Sequence, residues 1–142
     1  MDKSRTPDPA SARKAPPARW ILVVDDEPAM QRLIETILAD RGWKIQTASG
    51  GVAALATLEL AESLPALLIC DVLMPGLDGL ELTRRMLARV PDLKVILISG
   101  HLSDVSWWPT DLREHRFLNK PFSRDQLIET VTDVLASGGL LS

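Results

Sequence analysis

Ile21-Leu22-Val23-Val24-Asp25-Asp26-Glu27-Pro28 is the stretch from which the rest of the chain can be read. Four consecutive apolar residues, three of them β-branched, suit a strand covered on both faces, as strands of a parallel sheet are. The run stops at two carboxylates. Pro28, with its fixed φ and no N–H to lose, suits the first turn of a helix. Met30, Leu33, Ile34, Ile37 and Leu38 follow at i, i+3, i+4, i+7 and i+8, a single helical stripe, and Gly42 ends it.

The same unit recurs outward. Residues 43–48 read as a short strand and 52–61 as a helix closed before Pro65. Residues 66–70 are a second fully apolar strand ending at Asp71, Pro75-Gly76 a turn, and 80–90 a helix stopped at Pro91. Residues 94–99 form a third buried strand. Residues 116–119 are a shorter one running into Lys120-Pro121. Leu127, Ile128, Val131, Val134 and Leu135 make a last helical stripe, ended by Gly138-Gly139. Strand and helix alternate five times, which specifies an α/β domain, a parallel sheet with helices on both faces. Right-handed crossovers leave few topologies.

The chain has 142 residues, 46% hydrophobic and 25% charged, which fits one globular domain and excludes global disorder. A single cysteine, Cys70, excludes a disulfide framework and, with no Cys/His cluster, a zinc site. No apolar run approaches the roughly 18 residues of a membrane span, and no signal-peptide core follows the N-terminal charges. The expectation is a soluble, cytoplasmic protein without a membrane partner. Net charge is −3, with +3 on residues 1–19 and −6 on the remainder. That acidic body argues against nucleic acid as a partner and suits carboxylates gathered around a hard cation. Pro7, Pro9, Pro16 and Pro17 among Ala, Ser, Lys and Arg make residues 1–19 a flexible, solvated tail, with a docking arm as the sharper alternative. Residues 20–138 form the domain and 139–142 a short C-terminal end.

Asp25-Asp26, Asp71, Ser99 and Lys120 each close an apolar strand. In a parallel sheet those ends share one edge, where ligand sites form. Three carboxylates brought together repel, and Lys120 leaves a residual charge of about −2. Mg2+ neutralises such a set while keeping waters and phosphate oxygens. A carboxylate can attack phosphorus to give an acyl phosphate. The lysine would hold another phosphoryl oxygen, Ser99 a third, and the small Gly100 would leave room for entry. Cys70 reads as core, Met74 as turn packing and His115 as surface.

ILVVDDEP (21–28), DVLMPGLDGLEL (71–82), VILISG (95–100) and FLNKPF (117–122), in order and each at a strand end, resemble the receiver domain of two-component response regulators. The resemblance covers about residues 20–137. It implies a doubly wound five-stranded parallel sheet in order 2-1-3-4-5 with five helices. It implies that Asp71 is the phosphoacceptor, that Asp26 binds Mg2+ directly and Asp25 through water, and that the backbone carbonyl of Leu73 completes the protein ligands. Ser99 and Lys120 would bind the phosphoryl group, Ser99 and Phe117 would act as the switch pair, and Leu73 and His101 would set the phosphoryl lifetime. The implied partners are a histidine kinase or histidine phosphotransfer protein and an unidentified downstream protein, with room for a phosphorylation-dependent homodimer.

The expected chemistry is self-phosphorylation and self-dephosphorylation only, not enzymatic turnover. The chain ends at Ser142, which suggests a single-domain regulator acting by protein contact; a receiver from a hybrid histidine kinase is the alternative. A pseudo-receiver that needs no phosphorylation and an aspartyl-nucleophile phosphatase rank lower. Two departures stand out. Trp107-Trp108-Pro109 falls where the fourth helix should be, and proline in a helix interior costs about 3 kcal/mol. That helix is therefore expected to be short or irregular. Val105, Trp108 and Leu112 keep a stripe, so Trp108 should be core and Trp107 exposed on the output face. Phe117 lacks the hydroxyl of the tyrosine frequent at this position.

Overall fold

The computed structural model describes residues 20–100 and 115–140. Its strands are β1 (Trp20–Val24), β2 (Lys44–Ala48), β3 (Leu67–Asp71), β4 (Lys94–Ser99) and β5 (Arg116–Asn119). Its helices among the described residues are α1 (Pro28–Ala39), α2 (Gly51–Leu60), α3 (Gly79–Arg89) and α4 (Arg124–Leu140). The strands form one parallel sheet in the order β2-β1-β3-β4-β5, as expected. The segment expected to hold the fourth of five helices, with His101, Trp107 and Trp108, lies outside the described residues, as does the tail of residues 1–19.

The continuous apolar runs are explained by two cores. Leu22, Val24, Leu68, Cys70, Val95 and Leu97 pack on one face with Ala54, Leu58, Leu82 and Met86 of α2 and α3. Ile21, Val23, Leu67, Ile69, Ile96 and Ile98 pack on the other with residues of α1 and α4, including Ile34, Leu38, Leu127 and Val131. A strand buried on both faces has no polar side to show. The edge strands differ: Lys44 and Gln46 of β2 and Arg116 and Asn119 of β5 are exposed, which discourages further strand pairing.

Helix ends follow local chemistry. Gly42 adopts φ 94°, a left-handed conformation, and its N–H donates to the Ala39 carbonyl at 2.9 Å, closing α1 as its sequence predicts. Asp78 caps α3 by accepting the Glu81 N–H at 2.9 Å, so the helix starts at Gly79, one residue before the expected position. The last helix differs more. It continues through Gly138-Gly139 to Leu140, where the sequence reading ends it. Glycine weakens a helix by about 1 kcal/mol relative to alanine without blocking it, and here the stripe packed from Leu127 to Leu135 carries the helix onward. No helix among the described residues is long and apolar enough to cross a membrane.

Candidate functional site

β1 and β3 are neighbours at the middle of the sheet, with Val24 opposite Cys70. The residues that follow, Asp25 and Asp71, are therefore set side by side at the C-terminal edge. Asp71 is buried, and both of its oxygens are held. Oδ1 accepts the Leu73 N–H at 3.0 Å, and Oδ2 accepts from Lys120 Nζ at 2.9 Å. Lys120 reaches it from the end of β5, where its backbone N–H donates to the Ser99 carbonyl at 2.8 Å. The buried Ser99 thus fixes the base of the lysine.

Asp25 is also buried. Its Oδ1 accepts the Glu27 N–H at 2.9 Å. Its Oδ2 has no hydrogen-bond partner, although Lys120 Nζ lies 3.6 Å away, within ion-pairing reach. Burial, foremost, pushes the Asp25 carboxyl above the ordinary carboxylate range. Asp71 and Asp26 add to that, while the Glu27 N–H and Lys120 oppose it. At Lys120, burial works against the ammonium, but the hydrogen bond to Asp71 and the charges of Asp25, Asp71 and Glu27 outweigh it and raise its pKa.

Asp26 is exposed at the mouth. One carboxylate oxygen from each of Asp25, Asp26 and Asp71 lies within 4.8 Å of the others. An orphaned buried carboxylate oxygen facing two more acidic oxygens is the donor set a hard divalent cation satisfies. The residues present therefore fit Mg2+.

Three contributors escape the sequence reading. Glu27 places Oε1 3.7 Å from Lys120 Nζ, a third carboxylate around one lysine after Asp25 and Asp71. Gln31 donates Nε2 to the Asp25 carbonyl at 2.7 Å and ties α1 to the acidic loop. Gly79 lets α3 start against the end of β3, since a Cβ there would lie 2.2 Å from the Asp71 carbonyl oxygen. Only Gly79 leaves a signal in sequence: an Asp-Gly pair before a helical stripe, with Glu81 three residues after the capping Asp78.

Other expected residues fall as follows. Leu73 supplies its N–H to Asp71, and its side chain is 61% exposed. Phe117 is half-buried in β5, opposite Leu97, against the core that α2 and α3 cover. The sequence reading gave Gly100 the role of leaving room; a Cβ there would meet Lys120 Cβ at 3.7 Å, an ordinary contact, so the space does not depend on glycine. Cys70 is wholly buried, and burial, reinforced by Asp71, Asp25 and Asp78, pushes its thiol far up. It is core, as expected. His101 and Trp107 lie outside the described residues.

The response regulator receiver domain, as a family pattern, matches residues 21–132. Sensor kinase CckA of Brucella abortus is 36% identical over 117 residues, which is 81% of this chain and 12% of that protein. The nitrogen assimilation regulatory protein NtrX of Azorhizobium caulinodans is 37% identical over 115 residues, 78% of this chain and 25% of that protein. The chain spans a quarter or less of the length of these two curated relatives. The crystal structure of response regulator TrrA from Thermotoga maritima, in complex with Mg2+-BeF, superposes with a TM-score of 0.71 at 32% identity, covering 82% of this chain and 98% of that one.

Proposed function

This chain belongs to the response regulator receiver family, and we propose that it accepts a phosphoryl group on Asp71 from a phosphohistidine of a histidine kinase or histidine phosphotransfer protein. The observation that carries this reading is the buried Asp71 carboxylate, oriented by one N–H from Leu73 and one ammonium from Lys120 beside an orphaned Asp25 oxygen. An Asp71 oxygen attacks phosphorus, a P–O bond forms and the P–N bond breaks. The imidazole leaves with the electron pair and takes up a proton from water. Lys120 shifts toward a phosphoryl oxygen and keeps the product's negative charge paired. Ser99 donates to another phosphoryl oxygen.

Asp25, Asp26 and Asp71, with the Leu73 backbone carbonyl, hold Mg2+, which when bound offsets charge on the phosphoryl oxygens. The apolar Leu73 side chain at the rim orients no water and favours a long-lived phosphoform; His101 tunes that lifetime. Ser99 and Phe117 carry the change to an output face that includes Trp107. No external substrate is turned over. The exchange takes place in the cytoplasm and is read by a downstream protein, or by a second copy of the chain, rather than by nucleic acid. The −6 charge of residues 20–142 supports that preference.

The likeness to a sensor kinase of which this chain spans 12% favours, as a second reading, a receiver within a hybrid kinase. The test of the main reading is incubation with acetyl phosphate and Mg2+. We expect one acid-stable, base-labile phosphoryl group on Asp71 and none on Asp71→Asn. Equal labelling of the variant would overturn the assignment.

A further inference from the structure

The apolar content of α2 is not confined to its buried side. Of its ten residues only Thr57 and Glu59 are polar. Gly51, Ala54 and Leu58 face the core. Val52, Ala56 and Leu60, at i, i+4 and i+8, form a second stripe that faces solvent. Val52 is 76% exposed and Leu60 85%, and Leu64 just beyond the helix is 63% exposed. A helix apolar all round is normally a covered helix, and contiguous exposed apolar surface marks a binding face. Under the C-terminal end of α2 the stripe runs into a cleft of about 730 Å3, with Trp20, Ile45, Thr57, Leu60 and Ala61 on its walls. The cleft lies at the opposite sheet edge from the acidic site, because Trp20 opens β1 and Asp25 follows its end.

We propose that residues 1–19 of this chain fold back through this cleft and cover the outer face of α2. The tail enters at the cleft itself: it joins Trp20, whose indole N–H is fixed to the Ser63 carbonyl at 3.0 Å. Nineteen extended residues reach about 60 Å, whereas a ten-residue helix is about 15 Å long, so the tail can follow all of α2. Its prolines and alanines offer small apolar groups on a chain already biased to extended structure, which lowers the entropy lost on docking. Its charge is complementary. The tail carries +3, while the last turn of α2 has no basic residue and Glu59 and Glu62 stand exposed there. A helix C-terminus also favours cations. Lys44 lines the other wall and Glu59 already meets Arg89, so Arg13, Lys14 and Arg19 are assigned to the Glu62 side.

The test is a nitroxide on Ser11→Cys in the full chain; the wholly buried Cys70 leaves that site selectively labelled. We expect paramagnetic broadening of amides in residues 52–63, and little in residues 127–135 of α4, which pack on the opposite face of the sheet. The broadening should fall at least threefold with Leu60→Glu, an exposed position that does not threaten the fold, and again with Arg13→Glu and Lys14→Glu. Uniform or absent broadening would overturn the proposal. So would equal broadening of an unlabelled isotopic chain by a spin-labelled one, which would give the face to a second copy instead.

Discussion

Asp25 holds a buried oxygen without a hydrogen bond, and the charged form of its carboxyl is disfavoured in the native state. Its native pKa lies above its unfolded one, so between the two values the native state binds more protons. The stability that goes with this is full below the unfolded pKa and is lost as pH rises through the raised native pKa. Asp25→Asn removes the buried charge and leaves Lys120 with Asp71 and Glu27. In chelator at pH 7 the variant is expected to be the more stable protein by urea denaturation, with the gap closing as pH falls through the raised native pKa toward the unfolded value of about 3.9. Mg2+ should reverse the ranking. At a hundredfold excess over Kd the parent gains about 2.7 kcal/mol, and the variant gains less. Equal gains would remove Asp25 from the metal site. The sequence makes this acidic pair legible, because two carboxylates end an apolar run. It does not reveal which member is buried. That depends on Lys120, 95 residues away, and on a Gln31 side chain bonded to a backbone carbonyl, and such bonds leave no pattern in sequence.

The start of α3 shows what an element contributes. Asp78 caps it, and Thr83 on its next turn donates Oγ1 to the Gly79 carbonyl at 2.7 Å. Gly79 itself sits where a Cβ would come within 2.9 Å of the Val72 Cα and closer still to the Asp71 carbonyl. Neither the helix start nor the strand end can yield without moving Asp71. Gly79→Ala is therefore expected to cost on the order of 2–4 kcal/mol and to slow Asp71 phosphorylation even at temperatures where the variant is folded. Gly50→Ala is the matched control. Gly50 is the N-cap of α2, in extended backbone with φ 177° and open space around its Cβ position, so its cost should stay within about 1 kcal/mol, the loss of a favoured cap residue. Urea melts with phosphorylation rates on both variants check this; equal penalties would mean that the close approach at Gly79 is immaterial. Element existence was readable here from the stripe of Leu80 to Val90. The contact that sets its position was not, because a glycine's reason lies in what it faces across the fold, and sequence names only the glycine.

At the scale of the whole molecule, the period of the apolar residues specifies a doubly wound parallel sheet, and the order 2-1-3-4-5 comes from family resemblance; spacing alone leaves other orders open. The consequence of that order is energetic as well as geometric. Adjacent residues of the same strand belong to different cores: Val95 and Leu97 to one, Ile96 and Ile98 to the other. The sheet is the wall of both, so one face cannot lose its packing while the strands stay registered for the other. Leu82 of α3 and Leu127 of α4 are each fully buried on opposite faces. Truncating either to alanine should cost about 2–5 kcal/mol. That is a large part of a typical stability of about 5–15 kcal/mol, yet the loss should appear in a single shared transition. Urea melts followed by the methyl signals of Val95 and Ile96 should give coincident midpoints in the parent and in each variant. The Lys120–Asp71 pair should be lost at that same midpoint, since β3, β4 and β5, packed by both cores, position its two partners. A Leu82→Ala protein that melts Val95 early while Ile96 holds the parental midpoint would show two independent cores. The acidic site would then rest on one face alone.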